Sequence, residues 1–245
     1  MNSYQMVLHR PVETAAVFGH LRLIRDGAFW NALFSRAHSG HDAKLTLKSE
    51  LDGEGVDLKS LNDLDGWFWP YYNGYGEPDL LLRFGGNSGG RSLLLIIEVK
   101  LYSGKSECGV NDQLKRYYDL LQDKGALGLL VADDPVTALV YLTERYAADE
   151  LRESVKCSGQ LLASKRMFSL QWQDVLEAGE ELRPGQDTLL GEVVRFLKIR
   201  GFERFRGFPQ KVDYSGASSG HFYANQYFQH GLSINVQPKG SFYGE

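Results

Sequence analysis

Asp79, Glu98 and Lys100 are side chains of the types that hold a hard cation and act on phosphate. Carboxylates are oxygen donors of the kind Mg²⁺ accepts, and Mg²⁺ commonly takes one or two of them while keeping several waters. A lysine beside them orients a nucleophile or offsets charge that develops on a phosphate. The three residues meet only if the chain between them doubles back. Leu80-Leu81-Leu82 and Leu93 to Ile97 are short apolar runs bounded by turn residues, as buried strands are. The stretch between them, Gly85-Gly86-Asn87-Ser88-Gly89-Gly90, is a glycine-dense turn. Antiparallel pairing therefore brings Asp79, at the start of one strand, to Glu98 and Lys100 at the end of the other. Side chains alternate along a strand, so Glu98 and Lys100 share a face and Val99 points away. The competing reading is that strand ends meet water and carry charge for that reason alone. Taken singly, Glu98 and Lys100 fit either reading.

Pro78-Asp79 followed by Glu98-Val99-Lys100 resembles the signature of the PD-(D/E)XK nucleases, the restriction-endonuclease-like superfamily. Several branches of that superfamily carry a glutamine on the helix after the lysine strand. Gln113, in the helical stretch 111–123, takes that position. The resemblance covers roughly residues 75–132. It implies an α/β restriction-endonuclease-like fold, three layers with a mixed central sheet flanked by helices. It also implies Mg²⁺ (or Mn²⁺) held by Asp79, Glu98 and the Val99 backbone carbonyl. Lys100 would position the attacking water and stabilise charge on the phosphorus centre, and Gln113 would orient water or phosphate. The implied activity is hydrolysis of phosphodiester bonds, in DNA before RNA, in a restriction, defence or repair setting. A helix ahead of the metal strands sometimes supplies one more acid in this superfamily. Glu13, Asp26 and Glu50 are the candidates here, with capping and solvation the better reading of Glu13 and Asp26.

These residues need a scaffold, and most of it is foreseeable. Val17, Leu21, Ile24 and Ala28 recur at helical spacing within residues 13–37, and Asp26-Gly27 splits that stretch with Asp26 as an N-cap. Lys44-Leu45-Thr46-Leu47-Lys48 alternates as a half-buried strand does, with Glu50 at its exit. Residues 52–66 are acidic and glycine-bearing without the calcium-loop spacing, and read as a solvated loop. Trp67-Phe68-Trp69-Pro70-Tyr71-Tyr72 suits core packing beside a sheet, with base stacking as the alternative. On helix 111–123, Gln113 and Tyr117 share a face, and Leu114, Tyr118 and Leu121 form the apolar stripe. Tyr117 reads there as a core tyrosine. Leu127 to Ala132, Ala138 to Leu142 and Met167 to Trp172 are further strand candidates. Thr143 to Arg152, Gln173 to Ala178 and Thr188 to Phe205 are helix candidates.

Gly104-Lys105-Ser106 imitates a phosphate-binding loop, but Val99 stands where the required earlier glycine would be, which excludes an NTPase site. The acids after Val131 resemble a Walker B strand end and fall with it. Lys105, Arg116, Arg195, Lys198 and Arg204 are candidate nucleic-acid contacts. The basic stretch at 195–211 also reads as a solvated face whose cations favour a helix C-terminus.

A chain of 245 residues suits one large domain with an appended tail, here 1–211 as the nuclease-like domain and 212–245 as a Gly/Ser/aromatic segment. The tail is a candidate hairpin, or a surface for a homodimer or protein partner, or partly disordered. A net charge of −4 argues against a nonspecific polycationic binder and leaves local patches open. Cys108 and Cys157 form no CxxC pair, which fits a reducing interior and gives no zinc site. No apolar run approaches the roughly 18 residues that span a membrane, and Met1 to Arg10 lacks a signal-peptide core, so the expected location is cytoplasmic with no membrane partner. Two further readings remain: a catalytically inactive module of the same fold that binds nucleic acid or a protein, and a small-molecule or scaffold protein using the aromatic stretch and tail.

Overall fold

Leu93 to Val99 are buried without interruption, which suits a strand covered on both faces. That strand, β4 (Leu93–Lys100), lies in the middle of the fold. The computed structural model describes residues 12–58, 63–85, 91–101, 112–158 and 166–203, all within one compact unit, Met1–Arg204. Their order is α1 (Val12–Leu21), α2 (Gly27–Phe34), β1 (His38–Ser39), α3 (Leu47–Gly53), β2 (Asp63–Phe68), β3 (Leu80–Gly85), β4, α4 (Gln113–Gln122), α5 (Lys124–Leu127), a 3₁₀ turn (Gly128–Val131), β5 (Val136–Thr143), α6 (Ala148–Ser158), β6 (Met167–Gln171), α7 (Trp172–Glu181) and α8 (Leu189–Ile199).

The six strands form one open sheet in the order β1-β6-β5-β4-β3-β2. β4 pairs parallel with β5, and β5 parallel with β6. β3 pairs antiparallel with β4 in the register Leu80↔Ile97, as the expected hairpin requires. β2 and β1 close the two edges in antiparallel pairs. The sheet is thus mixed, with a parallel centre. Odd-numbered β4 residues face a core built with α1, α2, α3, α7 and α8. Leu94 and Ile96 face a second core with α4, α5 and α6. The result is an α/β three-layer arrangement.

Asp26 caps α2, its Oδ1 accepting from the Ala28 N–H at 2.8 Å, as the sequence predicts. Five expectations are corrected. Residues 44–48 are not a strand. Thr46 caps α3 in a reciprocal pair with Ser49, and Leu47 and Leu51 are buried together at helical spacing. The alternation there is too short to tell period 2 from a helix entry, and only a single bridge, His38↔Thr46, remains of strand pairing. The solvated loop at 52–66 gives way to a strand at Asp63, because β2 is a sheet edge whose acids point outward in strict alternation. Leu127 to Ala132 form no strand. Asp123 caps α5 through the Gly125 and Ala126 N–H groups, Gly128 has φ 57°, and Leu129 is 90% exposed. The place beside β4 belongs to β5 instead. Thr143 ends β5, so the helix expected from it begins at Ala148. The helix from Thr188 ends at Ile199, ahead of Gly201 at φ 79°. The tail 212–245, Lys105, Cys108 and Arg204 lie outside the described residues.

Candidate metal centre

Asp79 stands one residue before β3, one step beyond the Leu80↔Ile97 pair, and so reaches the level of Glu98. Its Oδ2 accepts from the Val99 N–H at 2.8 Å, and its Oδ1 accepts from the Trp69 indole Nε1 at 3.2 Å. Glu98 continues the Leu94–Ile96 side of β4 and is only 2% exposed. Its Oε1 accepts from the Lys100 Nζ at 2.9 Å and from the Gln113 Nε2 at 2.8 Å. Gln113 opens α4, behind the capping Asp112, whose side chain accepts from the Lys115 N–H. Its amide nitrogen also donates to the Tyr117 hydroxyl at 3.2 Å, and that hydroxyl donates to the Glu77 carbonyl at 2.8 Å. Helix α4 thereby ties the Glu77-Pro78-Asp79 entry to the exit of β4.

The electrostatics follow from burial. Desolvation pushes the Glu98 carboxyl up to about 8, the neighbouring Asp79 charge pushes the same way, and Lys100 opposes both. Burial also raises Asp79, against the pull of the Val99 N–H and of Lys100. Tyr117 is held above its ordinary range by burial and then by the Glu98 charge. Glu98 Oε2 is buried with no hydrogen-bond partner. Two adjacent carboxylates whose ionised forms are disfavoured, one with an orphaned oxygen, fit a hard divalent cation. Both are oxygen donors, and Mg²⁺ needs few protein ligands when water completes its shell. No third His, Cys, Asp or Glu joins the pair among the described residues.

The four residues of the expected constellation, Asp79, Glu98, Lys100 and Gln113, are therefore brought together. The other candidates are not. Glu13 lies on α1, Asp26 caps α2 and Glu50 is in the first turn of α3, all helices of the opposite layer. Arg195 and Lys198 are on α8, also in that layer, and pair with Glu192 and Glu180. Arg116 is on α4 beside Tyr117, whose hydroxyl feels its charge, and its Nε is buried without a partner. Two contributors escape a reading by motif. Trp69 is ten residues before Asp79 in an aromatic run, with no spacing that marks it. Tyr117 shares the Gln113 face, a signal that was present, yet a core tyrosine accounts equally well for the sequence pattern. No protein-family model, curated protein or solved structure matches the chain.

Proposed function

We propose that the protein is a Mg²⁺- or Mn²⁺-dependent nuclease that hydrolyses phosphodiester bonds, with DNA as substrate, on a restriction-endonuclease-like scaffold. One observation carries the reading: a buried Glu98 with an unpartnered oxygen, beside Asp79, at the point where Lys100 and Gln113 also converge. Asp79 and Glu98 would hold the cation, with the Val99 carbonyl as the further ligand that the superfamily resemblance implies. When bound, the ion supplies Lewis acidity toward a phosphate oxygen and lowers the pKa of water. Lys100, 17% exposed at the rim of the site, carries the positive charge that offsets negative charge growing on the phosphate as water adds and the ester oxygen leaves. Its ammonium has no lone pair, so it acts on phosphate and water and not as a ligand. Gln113 fixes the Glu98 carboxylate through one N–H while Tyr117 receives the other.

The test is single-turnover cleavage of plasmid and of single-stranded DNA with each divalent ion, alongside Lys100→Ala at matched concentrations. Metal-dependent cutting by the wild type that Lys100→Ala lacks supports the assignment. Equal rates in both would place the activity elsewhere. The second reading, an inactive module of the same fold, is favoured by the Lys100–Glu98 pair at 2.9 Å, which already neutralises Glu98 internally. Absence of cleavage with every divalent ion, together with DNA or protein binding, would favour that module.

A further inference from the structure

We infer that Trp69 is a positioning residue: its indole N–H holds the Asp79 carboxylate in the orientation in which it faces Glu98. The inference rests on reading Asp79 and Glu98 as the carboxylates that hold the cation.

Trp69 has φ 52°, in the left-handed region that bulky side chains rarely adopt. It also precedes Pro70, and a proline biases the residue before it toward extended backbone. Glycine would relieve the first conflict, and the chain uses it nearby, at Gly74 and Gly76 with φ 81° and 99°. At residue 69 a large aromatic stands instead. Such backbone persists where the surroundings over-determine it, and it clusters at functional sites.

The surroundings are specific. The Trp69 backbone N–H donates to the Asp79 carbonyl at 3.1 Å, extending the β2–β3 ladder one step beyond Phe68↔Leu80. The Trp69 ring leans on Phe68, centroids 5.5 Å apart, and Nε1 meets Asp79 Oδ1 at 3.2 Å. With the Val99 N–H on Oδ2 at 2.8 Å, both oxygens of one carboxylate are held, which opposes its rotation away from Glu98. The loop between the two residues is fixed as well. Tyr72 and Gly76 exchange backbone hydrogen bonds at 2.8 and 2.9 Å, and Tyr75 donates to Asp123 at 2.7 Å. An indole suits this role because it donates without bringing charge. A lysine or arginine there would neutralise the carboxylate that a cation requires.

The experiment uses the full chain freed of metal. Trp69→Phe keeps an aromatic ring and deletes the N–H. Mn²⁺ binding is measured by calorimetry. The unfolding midpoint without metal is compared in wild type, Trp69→Phe, Asp79→Ala and the double variant. The expected result is an unchanged circular dichroism spectrum with Mn²⁺ affinity about tenfold weaker, the loss typical of a residue that orients a metal ligand. The midpoint shift caused by Trp69→Phe should vanish when Asp79 is absent. Wild-type affinity in Trp69→Phe overturns the inference. Should that variant fail to fold, Trp69→Gly, which relieves the left-handed backbone, takes its place, and wild-type affinity there overturns the inference equally. If the wild type itself binds no Mn²⁺, the metal reading of the site fails, and the metal-free comparison decides alone. A shift that disappears with Asp79 then supports Trp69 as its positioning partner, and an equal shift in both backgrounds overturns it.

Discussion

On one side of β4, Leu93, Leu95, Ile97 and Val99 are all buried in an apolar cluster shared with five helices. On the other side Leu94 and Ile96 do the same against α4 and α6, and then Glu98 and Lys100 take over. On that side polar groups also gather around Glu98. Tyr141, opposite Glu98 on β5, donates to Glu150 at 2.8 Å, and buried Ser154 donates to buried Asp112 at 2.9 Å. The first side does what burial of apolar surface always does. The second gives up stability that an apolar set of the same volume would provide, because buried charges are desolvated and imperfectly compensated. Two adjacent buried carboxylates at one end of one face, with one Glu98 oxygen left unpartnered, are the feature on which the proposed metal site rests.

Breaking the polar end at Lys100 should have the largest effect. Lys100→Ala should slow cleavage on the order of 10²–10³, the usual loss for one electrostatic contact to the transition state. Calorimetry should still detect Mg²⁺ binding. Lys100→Arg should rescue poorly, because a planar guanidinium is bulkier than an ammonium. Parallel loss of metal binding and cleavage in Lys100→Ala would make the lysine part of the scaffold.

The acid pair gives the next effect, through pH. Glu98 titrates at 4.5 when unperturbed and at about 8 in the fold, so between these values the folded state binds more protons than the unfolded. Stability of the metal-free protein should therefore be fullest below pH 4.5 on this account and fall as pH rises toward about 8, and Asp79, also raised, adds in the same direction. Glu98→Gln should flatten that part of the Tm–pH profile. Above the Glu98 value, Mg²⁺ should raise Tm by linkage, and Asp79→Asn should remove most of the rise. An equal rise in Asp79→Asn would disconnect the metal from this pair.

Much of the polar end was legible because its parts lie on elements with strong local signals. The hairpin β3–β4 announced itself by apolar runs around glycines, and α4 by its stripe of Leu114, Tyr118 and Leu121. Once those elements were fixed, alternation along β4 and the first turn of α4 brought Asp79, Glu98, Lys100 and Gln113 together. What stayed hidden depended on tertiary context. The apolar run at 127–132 lacks a sheet partner, which no local pattern reveals. The run at 44–48 is a helix entry held by two hydroxyls, Thr46 and Ser49. β2 carries its acids outward only because it is an edge. Trp69 reaches Asp79 through a backbone conformation that its residue type disfavours, so propensity points away from it.

The apolar side offers a smaller and opposite effect. Ile97 is 1% exposed and neighbours Glu98 in sequence while facing the other core. Ile97→Val should cost about 0.5–1.5 kcal/mol of stability through the deleted methyl group. Denaturant unfolding should show that loss, with Mg²⁺ affinity and cleavage rate unchanged at temperatures where the protein is folded. A change in metal affinity would mean that the two faces are coupled through β4 and are not independent.

The smallest effects concern how substrate is held, and they separate the two layers. Arg116 lies on α4, three residues after Gln113, with a buried Nε that has no partner, on the side of the sheet that carries Glu98. A guanidinium placed there suits a phosphate near the site. Arg195 and Lys198 lie on α8 in the other layer, each already paired with a glutamate, at the edge of a cavity of about 600 Å³ that Glu180 and Glu192 also line. Exposed pairs of this sort contribute only about 0–1 kcal/mol, and their acids repel a phosphate backbone. Arg116→Ala should therefore weaken DNA binding uniformly across sequences and reduce the slope of log affinity against log salt by about one. Arg195→Ala and Lys198→Ala should leave both quantities near their wild-type values. Salt titrations of binding to a short duplex and to a single strand would check this. A slope that drops for Arg195→Ala or Lys198→Ala, and not for Arg116→Ala, would move the nucleic acid to the α8 layer and away from Glu98.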